Sequence, residues 1–229
     1  MGRSLRVTAA DGHPFEAYVA EPAGNPRGGL VVVQEIFGLN HHIRRVTDSY
    51  AELGFHAVSP AIYDRVRPHL EFGYSKEEFP EARGTRQKLT YEQMLVDIAA
   101  AREVVAGAGN VGIVGYCLGG SLAWLAATRL PGFAAASAYY GGVGIAKTVT
   151  EKPACPVMMH FAEHDHTSSL TEVEGIRQAV GPEIPIFIYP AEHGFNCDER
   201  TAYNAEAAAL ALKRTLAFFR EHVDSASAI

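Results

Sequence analysis

The sequence predicts an α/β protein built on an open, mostly parallel, doubly wound sheet with helices on both faces. Short, continuous apolar runs recur along the chain, and such runs suit strands that are buried on both faces of a parallel sheet. Helical patterns separate these runs, and glycine and proline mark the junctions. Strand and helix therefore alternate, which is the arrangement of a doubly wound sheet.

The elements follow in order from the amino end. Two alternating segments, residues 5–8 and 15–20, predict an antiparallel hairpin around Asp11-Gly12. The predicted parallel strands are the apolar runs 30–33, 55–58, 111–114, 134–140, 157–161 and 184–189. The predicted helices cover residues 42–53, 91–106, 118–130, 170–180 and 201–223. Residues 61–90 predict a long irregular connection, of the kind that often forms a binding loop or a partial lid.

Length, composition and charge narrow the class of protein. A chain of 229 residues is ordinary for one α/β domain, so residues 1–229 are expected to form a single domain without a large cap. Hydrophobic residues make up 48% and charged residues 20%, which is a globular balance. The formal net charge is −6, so a nucleic-acid partner is not expected.

Other features bear on compartment and partners. No stretch approaches the roughly 20 apolar residues of a membrane span, and the start of the chain has no apolar signal core. Three cysteines cannot form a closed disulfide framework, which favours a cytoplasmic location. The expected partner is a small molecule, without nucleic acid or membrane, and a monomer is favoured.

Reactive side chains follow four of the predicted strands. Glu35 follows the run 30–33, and Cys117 follows the run 111–114. Asp165 and His193 come after the last two runs. Ligands bind at the carboxyl ends of the strands in open α/β sheets. Two carboxylates, a thiol and an imidazole are therefore expected at one edge of the sheet.

The strongest motif is Gly115-x-Cys117-x-Gly119, a nucleophile elbow with Cys in the Ser position, placed between a predicted strand and a predicted helix. The glycines allow a tight turn that projects the nucleophile, and the helix directs positive partial charge at the sulfur. The order Cys117, Asp165, His193 matches the nucleophile–acid–base order of α/β-hydrolases. The alternative is a buried structural cysteine beside packing glycines.

The other candidates have predicted roles and alternatives. His193 is expected to carry the proton, because imidazole has a pKa near neutrality; otherwise it is an exposed loop residue. Asp165 would hold the orientation of the imidazole, with the nearby Glu163 as a rival. The backbone N–H groups of Leu118 and Ile36 would form the oxyanion hole.

These motifs resemble those of the dienelactone hydrolase family of the α/β-hydrolase fold. The matching segments are Gln34-Glu35-Ile36-Phe37-Gly38, Gly115-Tyr116-Cys117-Leu118-Gly119-Gly120, Phe161-Ala162-Glu163-His164-Asp165 and His193-Gly194-Phe195. The resemblance implies a Cys–His–Asp triad and an additional Glu, here Glu35, which contacts the thiol in the resting state. Without that role, Glu35 would be a solvated charge. The family's chemistry is hydrolysis of the enol-lactone ring of dienelactones to maleylacetate without a cofactor.

The resemblance also implies arginines that hold the substrate carboxylate. In the family, one arginine lies shortly after the catalytic His. This chain has Asn196-Cys197-Asp198 there, with Arg200 a little later. The other arginine belongs to the segment 61–90, where Arg83 and Arg86 are the candidates for substrate binding. The alternative is that Arg83 and Arg86 belong to the solvated surface and bind no substrate.

Two further motifs are weaker matches. Gly115-x-Cys117-x-x-Gly120 departs from the dinucleotide fingerprint, because Cys117 stands where a glycine must let the backbone approach the pyrophosphate. His160 and His164 have the spacing of an inverted zinc-protease motif, but on a strand that spacing separates them by about 13 Å. No metal and no cofactor are therefore expected.

The expected function is hydrolysis of a lactone or ester bond in a small, carboxylate-bearing substrate, through Cys117 and a covalent thioester. Two alternatives stay open. One is a general carboxylesterase or thioesterase, and the other is a non-catalytic binding protein on a hydrolase scaffold.

Overall fold

Eight strands form one sheet in the computed structural model, which describes residues 2–224. The strands are β1 (Arg3–Thr8), β2 (Pro14–Ala20), β3 (Gly29–Val33), β4 (His56–Pro60), β5 (Val111–Tyr116), β6 (Ala135–Tyr139), β7 (Val157–His164) and β8 (Ile186–Glu192). Across the sheet they lie in the order β1-β2-β4-β3-β5-β6-β7-β8. The pairs β1–β2 and β2–β4 are antiparallel, and the remaining pairs are parallel. This sheet confirms the predicted fold class.

Helices cover both faces of the sheet. They are α1 (His41–Glu52), α2 (Phe79–Gln87), α3 (Tyr91–Val105), α4 (Leu118–Arg129), α5 (Gly142–Thr148), α6 (Leu170–Val180) and α7 (Ala205–His222). Leu30 and Val32 of β3 belong to one core with buried residues of α1 and α7. Val31 and Val33 belong to the other core, with buried residues of α2 to α6. Alternate residues of one strand thus serve two cores, which explains the continuous apolar run.

Several segments differ from the prediction. Residues 61–90, expected to be irregular, contain a 3₁₀ turn at Ile62–Arg65 and the helix α2. Helix α5 lies in an interval for which no helix is predicted. Helix α7 begins at Ala205 rather than at residue 201, because the Asn204 side chain accepts a hydrogen bond from Ala207 N and caps the helix. No large cap domain is present within residues 2–224.

Strands β7 and β8 extend beyond their predicted ends, to His164 and Glu192. Asp165 and His193 therefore each follow a strand directly. The two histidines of the zinc-protease spacing both lie on β7, His160 within the predicted strand and His164 in its extension. The ring nitrogens of His160 are 2.8 Å from Tyr189 Oη and 3.1 Å from Thr215 Oγ1. Within residues 2–224, no helix is long and apolar enough to cross a membrane.

Candidate active site

Cys117 occupies a sharp turn between β5 and α4. Its φ of 55° and ψ of −112° lie outside the regions that residues with a side chain ordinarily adopt. The turn is tied to the neighbouring strand by a hydrogen bond of 3.0 Å from Cys117 N to Tyr139 O. Strained backbone of this kind persists only where the surroundings fix it, and it clusters at active sites.

Close packing explains why the turn is rich in glycine. A Cβ at Gly115 would overlap the carbonyl group of Gly119, and a Cβ at Gly119 would overlap the carbonyl oxygen of Val33. A Cβ at Gly120 would overlap the carbonyl oxygen of Tyr139. Glycine at these positions therefore lets the first turn of α4 lie directly against three strands.

A histidine and an acid face each other beside this turn. His193 Nδ1 lies 2.8 Å from Asp165 Oδ2, and both side chains are buried. The other carboxylate oxygen of Asp165 accepts hydrogen bonds of 2.7 Å from Thr167 N and Thr167 Oγ1. The rival acid, Glu163, is exposed and belongs to β7. The structure thus brings Asp165, rather than Glu163, to the imidazole.

Negative charge on Cys117 raises the pKa of the His193 imidazole. Burial alone would lower the pKa of His193. Negative charge on Cys117 and the hydrogen bond to Asp165 outweigh burial and raise that pKa to about 10. When Cys117 is a thiolate, His193 therefore holds its proton through neutral pH.

A cavity of about 470 Å³ opens above Cys117 and His193. This volume lies within the range of small-molecule sites, roughly 300–1,000 Å³. The predicted oxyanion residues Ile36 and Leu118 line the cavity, and Leu118 is the first residue of α4. The backbone N–H groups in the first turn of a helix have no partner within the helix, so they suit an oxyanion.

Glu35 is buried two residues beyond the end of β3, and its carboxylate has hydrogen-bond partners on other parts of the chain. Its carboxylate accepts a hydrogen bond of 3.1 Å from Arg200 Nη1 and one of 3.2 Å from Tyr74 Oη. The Arg200 guanidinium also lies over the Phe37 ring, 5.7 Å from its centroid. The contact between Glu35 and the resting thiol, which the family resemblance implies, stays a prediction.

The two predicted substrate-binding arginines lie on α2 and both line the cavity. Arg83 is exposed, and its guanidinium is 5.8 Å from the centroid of the Phe79 ring. Arg86 is half-buried. It donates a hydrogen bond of 2.9 Å to Leu89 O and lies 4.6 Å from the centroid of the Tyr91 ring. Neither arginine has a carboxylate partner within residues 2–224.

Sequence reasoning missed several residues of the site. Arg200 lines the cavity although it lies beyond the position that the family pattern suggests. Thr167 binds the acid, and Tyr74 binds Glu35. Cys197 is fully buried beside Tyr74, and burial raises its pKa to about 12. Arg200 and Cys197 both follow strand β8 in the chain. Because the loops after the parallel strands meet at the site, this place in the sequence could have indicated both residues.

Comparison with known proteins matches residues 15–223 to the dienelactone hydrolase family. The chain belongs to this family. Membership agrees with the resemblance stated from the sequence, and it makes the chain a carboxylic-ester hydrolase that acts on lactone or ester bonds.

Individual relatives of this dienelactone hydrolase family member cover nearly the whole chain. A "putative carboxymethylenebutenolidase" of Synechocystis sp. is 36% identical over 222 residues, covering 89% of this chain and 90% of the relative. The carboxymethylenebutenolidase of Pseudomonas putida is 34% identical over 224 residues, covering 93% and 94%. The crystal structure of a "putative dienelactone hydrolase" from Klebsiella pneumoniae has a TM-score of 0.83 and 29% identity, covering 97% and 100%.

Proposed function

We propose that this family member hydrolyses the lactone or ester bond of a small, carboxylate-bearing substrate of the dienelactone type, through Cys117, His193 and Asp165. The single observation that carries the proposal is the geometry of these three residues. The thiol stands on a strained turn at a helix N-terminus, beside an imidazole that a buried carboxylate orients. This is the arrangement of a nucleophile, a base and an orienting acid.

The first half of the reaction forms a thioester. His193 takes the proton of the Cys117 thiol, and the sulfur attacks the carbonyl carbon. The backbone N–H groups of Leu118 and Ile36 donate hydrogen bonds to the oxygen that becomes negatively charged. The carbon–oxygen bond to the leaving group then breaks, and the leaving oxygen, which is an enolate oxygen with a dienelactone, takes the proton from His193 and leaves the imidazole neutral. The negative charge of the Cys117 thiolate is lost when the thioester forms, so the pKa of His193 falls and the imidazolium can release this proton.

The second half consumes water. Neutral His193, oriented by Asp165, removes a proton from a water molecule, whose oxygen attacks the thioester carbonyl. The carbon–sulfur bond breaks, and the Cys117 thiolate and the His193 imidazolium are restored. The product carries the new carboxylate. With a lactone substrate, the opened chain stays attached as the acyl group until this step.

Cationic side chains support the choice of an acidic substrate. Arg200, Arg83 and Arg86 line the cavity around Cys117. Arg200 is the most confined of the three, because Glu35 and Phe37 hold its guanidinium. We assign Arg200 to the substrate carboxylate alongside the two arginines of α2. Cytoplasmic location and a monomeric state remain predictions. All three cysteines are free thiols, which supports the former.

A rapid-quench experiment tests this function. With a para-nitrophenyl ester, wild-type protein should release an initial burst of one nitrophenol per active site, and mass spectrometry should find the acyl group on the Cys117 peptide. Cys117→Ala should abolish the burst and turnover while the fold survives. Cys155→Ala removes a half-buried thiol outside the cavity and should keep both. Full activity of folded Cys117→Ala would overturn the proposal.

A further inference from the structure

The lining of the cavity is strongly cationic in an acidic protein. Four lysine or arginine side chains line it, and none of the described residues that line it is Asp or Glu. The whole chain carries a formal net charge of −6. A cleft with one sign of charge raises the local concentration of ligands of the opposite sign. The cavity therefore favours anionic ligands, although the protein as a whole carries a net negative charge.

The number of charges exceeds what one carboxylate balances. The charge of Arg200 is partly offset by Glu35, its ion-pair partner. Arg83, Arg86 and Lys147 keep positive charges without an ion-pair partner within residues 2–224. A monoanionic substrate would compensate one of these three charges and leave two.

These charges belong to two helices that follow different strands of the sheet. Arg83 and Arg86 belong to α2, which follows β4 in the chain, whereas Lys147 belongs to α5, which follows β6. In the sheet, β4 and β6 lie on opposite sides of β5, the strand that leads into Cys117. A substrate whose scissile carbonyl reaches the Cys117 sulfur thus has cationic side chains on both sides.

Helix α5, which carries the exposed Lys147, is packed at both ends. The neighbouring Thr148 accepts a hydrogen bond of 3.0 Å from the indole of the buried Trp124 on α4. At the other end of α5, Gly142 packs so closely on Ser168 that a Cβ there would overlap the hydroxyl group. The exposed Val143 of the same helix offers apolar surface in the cavity. Lys147 therefore extends from a helix packed on the nucleophile-bearing helix, rather than from a free loop.

We propose that the cavity takes substrates with two anionic groups, one on each flank of the scissile carbonyl, and that Lys147 is the specificity-determining residue for the second group. This inference rests on the proposed hydrolase function and deepens it. It identifies the substrate class as lactones or esters that bear a carboxylate on each side of the reacting bond.

Four chromogenic esters test the inference. The neutral ester is para-nitrophenyl acetate. The two monoanions are the para-nitrophenyl monoester of glutaric acid and para-nitrophenyl acetate with a carboxylate on the ring. The dianion is the glutaric monoester with that same ring carboxylate. The measured quantity is kcat/KM for the dianion divided by kcat/KM for the better monoanion, after subtraction of spontaneous hydrolysis.

Wild-type protein should give a ratio above one, and Lys147→Ala should lower the ratio about fivefold, the effect of one partly exposed ion pair. Lys147→Arg should retain most of the ratio, because it keeps the charge. Lys152→Ala, which removes an exposed charge just beyond α5 and outside the cavity, should leave it unchanged.

A wild-type ratio of one or less, or an equal ratio in Lys147→Ala, would overturn the inference. Failure of the proposed function itself would look different, because para-nitrophenyl acetate would then be cleaved equally by wild-type protein and by Cys117→Ala.

Discussion

Two buried arginine–carboxylate pairs in this protein have the same chemistry but different surroundings. Arg65 and Asp97 form two parallel hydrogen bonds of 2.7 Å, and Arg65 also reaches Asp11 at 2.8 Å. Arg200 and Glu35 share one bond of 3.1 Å. The Arg65 and Asp97 side chains are 7% and 0% exposed, whereas Arg200 is 15% exposed and lines the cavity.

The difference in geometry suggests that the two pairs have different roles. The bidentate pair joins the 3₁₀ turn Ile62–Arg65 to α3, away from the cavity, and its donors and acceptors are satisfied on both sides. In the single-bond pair, Arg200 lines the cavity and has N–H groups beyond the one that bonds to Glu35, so a substrate anion can bind to them. We interpret Arg65–Asp97 as a structural clamp and Arg200–Glu35 as part of the site.

The largest expected effect is on stability, at the structural pair. Burial raises the pKa of Asp97 even beside the guanidinium, so its carboxylate carries a desolvation cost that the intact pair must offset. Asp97→Asn leaves the buried Arg65 without its main partner and should lower the free energy of unfolding by about 3–5 kcal/mol. Urea unfolding measures this change, while kcat/KM per folded molecule should match wild type.

A matched double variant sharpens this test. Arg65→Met combined with Asp97→Leu removes both buried charges and should recover most of the lost stability. A loss below about 1 kcal/mol for Asp97→Asn would show that the clamp interpretation is wrong, since exposed ion pairs have that size.

The second prediction concerns Glu35→Gln, the corresponding change at the site pair. It removes a negative charge near Cys117 and frees the positive charge of Arg200, and both changes favour the thiolate. The free thiol should therefore react faster with iodoacetamide near neutral pH. Lactone turnover should fall about tenfold, or 1.4 kcal/mol in transition-state stabilisation, because a potential proton acceptor is lost.

The measurement is the pH dependence of iodoacetamide inactivation, beside kcat/KM, for wild type and variant. Glu35→Gln should lose less stability than Asp97→Asn, because Arg200 borders the open cavity. If neither the alkylation profile nor kcat/KM changes, Glu35 takes no part in the chemistry.

The sequence predicted Glu35 as a site residue but not its pairing with Arg200, because the two residues lie far apart along the chain. Glu35, Cys117, Asp165 and His193 each follow an apolar run, so the strand-end rule places them at one edge without further information. Arg200 meets Glu35 across 165 residues, and no local pattern encodes that contact. The same holds for Arg65 and Asp97.

The two unpredicted helices have a related cause. Helix α2 contains Pro80 and Gly84, and the short α5 contains Gly142 and Gly144, so local helix propensity is low in both. Buried Ala82 and Thr85 hold α2 against the core. The glycines of α5 are required by the close approach of Ser121 and Ser168. Tertiary packing thus decides segments that local sequence leaves open.

The third prediction compares the two arginines directly. Arg200→Gln should raise KM for an acidic lactone about tenfold more than for a neutral ester, because its charge meets the substrate carboxylate. Arg65→Gln should destabilise the fold without discriminating between the substrates. Arg200→Lys should restore part of the selectivity, since it keeps the charge but not the planar donor geometry. Equal effects of Arg200→Gln on both substrates would contradict a binding role.

The smallest effects are expected at the arginines of α2, which have no carboxylate partner within residues 2–224 and so belong to neither kind of pair. Arg83→Ala and Arg86→Ala should each raise KM for an acidic lactone about threefold more than for a neutral ester, the size of a partly solvated ion pair. Arg86→Ala should also lower stability slightly, because it loses the hydrogen bond to Leu89 O and the contact with the Tyr91 ring. Arg83→Ala loses only the contact with Phe79, so it is the cleaner measure of charge. If both variants change the two substrates equally, the arginines of α2 are solvated surface or structural residues, and Arg200 alone would hold the substrate carboxylate.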